Sequence, residues 1–129
     1  MEETSPGNRL RWLPYLYAAG AIFWLIELTQ FAAVLAAPVG RQQLMQTLAN
    51  AGFASNAGSM LVVESVLIAF VELTAGALHA AAYYGLRRFR PWGWVAAVIV
   101  AGAWSLLLVG IPIFVFLLRR QTRAAYGVP

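Results

Sequence analysis

MLVVESVLIAFVELTAGALHAAAYY, residues Met60–Tyr84, is the stretch whose reading decides the fold. The apolar run exceeds the ~20 residues that a helix needs to cross the hydrocarbon core of a bilayer. Yet it carries Glu64, Glu72 and His79. A charged side chain at that depth costs about 2.5–3.5 kcal/mol on insertion scales, so acids kept there face a bundle interior and have a use.

Two more apolar runs lie on either side. The pattern predicts transmembrane helices over 12–37, 59–85 and 91–118. In the first, Pro14 suits an opening turn, where its missing N–H is not needed. Trp12, Tyr15 and Tyr17 read as an interfacial aromatic group, and Pro38 and Gly40 end the helix. In the last, Ala97, Ala101 and Ser105 form a row of small residues suited to close packing against another helix. Pro112 removes one backbone bond and is expected to kink that helix. The RRFRP turn, 87–91, is short and makes the second and third spans antiparallel neighbours.

The remainder is polar. Residues 41–51, RQQLMQTLANA, place Leu44, Met45 and Leu48 on one face and glutamines elsewhere. Too short and too polar to span, this segment reads as an amphipathic interfacial helix. Residues 1–11 lack the apolar core of a signal peptide and read as a disordered tail. The expected fold is a single all-α integral membrane domain over 1–129: three transmembrane helices and one short interfacial helix in a small bundle.

Composition agrees. Of 129 residues, 61% are hydrophobic and only 11% charged, against about 25% charged in soluble domains. Mean hydropathy is +0.70. The absence of cysteine removes disulfides, thiol catalysis and thiolate metal sites. One histidine is too few for the usual catalytic zinc, so no metal and no cofactor is expected. Net charge is +4, and all nine basic residues are arginines at the ends of apolar runs. They read as headgroup anchors rather than a nucleic-acid surface. With three spans the arginines split as Arg9, Arg11, Arg87, Arg88 and Arg90 against Arg41, Arg119, Arg120 and Arg123, too even to orient the chain. Arginine without lysine in an alanine-rich chain suggests a bacterial inner-membrane, multi-pass protein.

The chemistry is expected at the acids. At 1.5 Å rise per residue, Glu27 lies roughly 4 Å past the centre of its span and Glu72 roughly 2 Å from the centre of its own, on the same side. Glu64 lies two turns outward and His79 two turns the other way. A carboxyl at bilayer depth favours its neutral form, and a second carboxyl nearby favours it further. Glu27 and Glu72 are therefore expected to share a proton within a ladder of Glu64, Glu27, Glu72 and His79. Trp24, Gln30, Phe31 and Trp104 are the candidate lining for a small hydrophobic or cationic ligand.

Three functions fit this pattern. The first is proton- or cation-coupled transport by an oligomer, since three helices are too few to enclose a pathway. The second is a membrane enzyme using a protonated glutamate as general acid on an isoprenoid-like substrate, as a cyclase or isomerase. The third is a non-catalytic accessory subunit, with a membrane protein as partner. No nucleotide loop, metalloprotease motif or catalytic triad is present.

Overall fold

The computed structural model describes residues 10–129, and every regular element among them is helical. The helices are α1 Leu13–Ala36, α2 Pro38–Leu48, α3 Ala57–Arg87, α4 Pro91–Ser105, α5 Ile111–Leu118 and α6 Arg120–Ala125. A π-helical turn, Ala49–Phe53, and a 3-10 turn, Ala54–Asn56, join α2 to α3. The backbone bends there at Gly52, whose φ of 100° is open to glycine at no steric cost. Two stretches are long and apolar enough to cross a membrane: α1, and the run Pro38–Arg87 that contains α3.

The chain divides into two compact units. The terminal unit holds the segment up to Ile22 and all of Ala75–Pro129; the middle unit is Phe23–Thr74. The terminal unit has a real core. Leu13, Ala82, Leu86, Ala97 and Leu117 are fully buried, with Leu10, Tyr17, Val100, Ala101 and Tyr126 nearly so. Leu10 also has a backbone partner, its carbonyl accepting a bond from Leu13 N–H. Of the tail expected over 1–11, Leu10 is buried rather than disordered, and residues 1–9 lie outside the described residues.

The helix expected over 91–118 is two helices. After α4 the chain reverses through Leu106–Gly110, held by bonds from Leu107 N–H to Trp104 O, Leu108 N–H to Ser105 O and Gly110 N–H to Trp104 O. Leu108 takes a left-handed φ of 64° to make the turn. Gly110 then lies against α4 so closely that a Cβ would stand 2.6 Å from Ser105 N. At the other end, Trp94 Nε1–H donates to Leu117 O at 3.0 Å and closes the hairpin. Pro112 is accordingly no kink. It occupies the first turn of α5, where it breaks no bond. At ~1.5 Å per residue, α4 is about 22 Å long and α5 about 12 Å, each short of the ~30 Å hydrocarbon core.

The small-residue row packs against another helix, and that helix is α1 of the same chain. Ala97 and Ala101 are buried inside the chain. Tyr17 Oη–H donates to Ala97 O at 2.8 Å, and Ser105 Oγ–H returns to Ala101 O. That face is filled by the chain itself and is not open to a second copy.

α3 ends with Phe89 in the left-handed region at φ 52°. Bonds from Arg90 N–H to Gly85 O and from Phe89 N–H to Leu86 O tie off its last carbonyls, the pairing of a Schellman cap. Glycine would be the easy residue there. Phe89 instead stacks on Tyr126 at 5.4 Å. Burial of Tyr126 pushes its phenol up to about 12.

The middle unit is built otherwise. Ala57 is its one buried residue among those described. α2 follows the expected interfacial segment closely but starts at Pro38, because extended Ala37 and the fixed φ of Pro38 prepare a helix start. Its glutamines are exposed, and Leu44 and Leu48 are half-buried.

Candidate functional site

The residues singled out in the sequence fall into both units. Trp24, Glu27, Gln30, Phe31, Glu64 and Glu72 belong to the middle unit; His79 and Trp104 belong to the terminal one.

In the middle unit, α1 presents Trp24, Glu27, Leu28, Phe31 and Leu35 as its less exposed face, and α3 presents Leu61, Ser65, Ile68, Ala69 and Glu72. Both sets recur at three- and four-residue steps, the period of a helix face. Glu27 and Glu72 thus sit on the sheltered side of their helices, whereas Glu64 and Gln30 are exposed. One oxygen of Glu72, Oε2, is buried and has no hydrogen-bond partner. The hydroxyls that could have served the acids are turned inward: Thr29 Oγ1–H donates to Leu25 O and Ser65 Oγ–H to Leu61 O, each one turn back on its own helix. Such back-bonding is the ordinary fate of a hydroxyl in an apolar helix. It leaves the carboxyl unanswered. Among the described residues, no cluster of three His, Cys, Asp or Glu side chains is placed to hold a metal ion.

His79 in the terminal unit is fully engaged. Trp104 Nε1–H donates to its Nε2 at 3.0 Å. Indole nitrogen is a donor only, so Nε2 must carry the lone pair. The proton is then on Nδ1, which donates to Ala75 O at 2.7 Å. Both nitrogens are committed to the neutral ring in a single tautomer. A second proton on Nε2 would break the Trp104 bond and bury a charge, so these two bonds favour the neutral ring and hold it in place. The ring lies 6.2 Å from Tyr17 and edge-on to Trp104 at 6.3 Å.

α1 comes this close to the ring because residue 20 is glycine. A Cβ there would stand 2.7 Å from His79 Nε2 and nearer still to Cδ2. Sequence reading took Tyr17 for an interfacial aromatic, yet it is buried and bonded to Ala97 O. The available signal was its position three residues before Gly20, on the face that also holds Trp24 and Glu27. The pairing of His79 with Trp104, 25 residues apart, had no local signal at all.

No known family matches this chain, and no characterised protein or solved structure is detectably similar to it.

Proposed function

We propose that this chain is a multi-pass protein of a cell membrane, of the bacterial inner-membrane kind. In this reading Glu72 takes up a proton or binds a small cation, as the coupling group of an oligomeric transporter. The observation that carries the proposal is the buried, unpartnered Oε2 of Glu72. An anionic oxygen out of water with no donor costs several kcal/mol. An oxygen so placed is open to a donor or a cation. The neighbouring hydroxyls do not compete, being bonded to their own helices. Glu27, on the sheltered face of α1, is the candidate second group; Glu64 is exposed and has a lesser part.

The membrane itself is supported by what the middle unit leaves uncovered. Val62, Val63, Val66, Leu67, Phe70, Val71 and Leu73 are all exposed on α3, as are Phe23, Leu25 and Ile26 on α1. Soluble monomers rarely expose contiguous apolar surface on this scale.

The enzyme reading drew on Trp24 and Trp104 as aromatic lining for its substrate; the Trp104 indole is set edge-on to His79 in a hydrogen bond, which gives that reading less support. The accessory-subunit reading keeps one specific support, since the same exposed apolar faces suit a partner helix as well as lipid.

A flux measurement separates the two. Protein reconstituted into vesicles with a trapped pH dye is challenged with a potassium diffusion potential. Proton entry that disappears in Glu72→Gln, at equal reconstitution, supports the coupling role. Equal flux in both proteins sinks it and leaves the accessory reading.

A further inference from the structure

The α4–α5 hairpin has two unlike ends. Its tip is Leu106-Leu107-Leu108-Val109, exposed by 86%, 65%, 75% and 69%. Four adjacent apolar residues this open are an error on a soluble surface unless something receives them. Leu108 sharpens the point. It holds the left-handed conformation that glycine adopts freely and a leucine does not. The turn keeps an apolar side chain where backbone geometry alone would select glycine.

The base is cationic and aromatic. Arg119 lies over Phe116 and Arg88 over Tyr84. Arg87 donates to Tyr83 Oη. Trp12 meets Phe116, and Trp92 stacks on Tyr84. Arg11, Arg87, Arg88, Arg90, Arg119 and Arg120 are exposed here, and the described part of the terminal unit contains no Asp or Glu to pair with them. Exposed tryptophan and tyrosine among unpaired arginines match the headgroup zone of a bilayer. A nucleic acid would answer the arginines but not the leucines at the opposite end of the hairpin.

We infer that the α4–α5 hairpin enters the bilayer from one side and returns, its leucine tip in the hydrocarbon and its basal arginines on the phosphates of anionic lipids. The inference rests on the membrane reading proposed above. A 15-residue α4 reaches about 22 Å inward from the headgroups, past the midplane of a ~30 Å core and short of its far side. Orientation follows. With two crossings, α1 and α3, everything before the first and after the second lies on one side. Among the described residues, that side carries Arg11, Arg87, Arg88, Arg90, Arg119, Arg120 and Arg123, against Arg41 alone in the connection. The near-even split of the three-span reading becomes a strong excess, and the arginine-rich side is cytoplasmic.

The chain has no cysteine, so single cysteines report cleanly. Gln46→Cys, Leu107→Cys and Gln121→Cys are expressed separately and treated in intact cells, then in permeabilised cells, with a membrane-impermeant maleimide. The hairpin requires Gln46→Cys to label in intact cells and Gln121→Cys only after permeabilisation. Leu107→Cys should resist this reagent in both but react with a lipid-soluble maleimide. Labelling of Gln46→Cys and Gln121→Cys from the same side means a third crossing and overturns the hairpin. Release of the protein by alkaline carbonate overturns the membrane reading itself, whatever the labelling. For the lipid, thermal unfolding is followed in phosphatidylcholine nanodiscs with and without phosphatidylglycerol. The anionic lipid should raise the midpoint by several degrees, and Arg119→Gln/Arg120→Gln together should remove most of that rise. No rise, or an equal rise from an RNA oligonucleotide in pure phosphatidylcholine, overturns the anionic-lipid partner.

Discussion

The terminal and middle units solve the same composition in opposite ways. In the terminal unit, several polar atoms find partners on other turns and helices: Tyr17 with Ala97 O, Trp94 with Leu117 O, His79 with Trp104 and Ala75 O, while Arg123 Nε and Tyr126 Oη are buried without one. Its small residues let helices close on a buried core. The middle unit buries almost nothing and leaves a carboxyl oxygen unanswered. The lesson is that a titratable side chain in an apolar setting is read by its partners, not by its type. The His79 ring is held at both nitrogens, whereas Glu72 keeps one buried carboxyl oxygen unpaired.

The largest test of that contrast is Gly20→Ala. The added methyl overlaps the His79 ring and must dislodge a side chain held at both nitrogens. Overpacking of this kind costs about 1–3 kcal/mol, and the upper end is expected, read as a fall in unfolding midpoint in detergent. A midpoint unchanged from wild type would mean that His79 is not locked.

Glu72→Leu should act with the opposite sign. It replaces an unpartnered buried oxygen by methyl groups in the middle unit. Stability is expected to rise by about 1 kcal/mol, the penalty of an unsatisfied polar atom being about 1–3 kcal/mol. A destabilised Glu72→Leu would show that the carboxyl has a partner that holds the fold, and the two units would no longer differ in kind.

The smallest effect belongs to Pro112→Ala. A proline in a helix's first turn interrupts no bond, so the change should stay within about 0.5 kcal/mol, the usual range away from special features. A loss of several kcal/mol would restore a conformational role to Pro112.

Much of this was legible in one dimension. Helices α1, α2 and α3 lie within a few residues of where hydropathy and proline placed them, because those signals are local sums. That Glu27 and Glu72 lie away from the most exposed faces of their helices fits the expectation that the acids face a bundle interior, though Glu64 is exposed. The hairpin was not legible. Residues 91–118 are apolar throughout, and hydropathy has no sign for a reversal; the turn rests on a left-handed leucine where glycine would have announced it.

By itself, then, the sequence determined the helical class, the apolar surface and the presence of acids within it, since each depends on residue type and neighbours along the chain. Only the tertiary structure decided what those residues do. It spent His79 and Trp104 on each other across 25 positions, filled the Ala97 face from within, and left Glu72 Oε2 without a partner. Partnership between distant side chains depends on how helices meet, and that geometry is written in no single stretch of the chain.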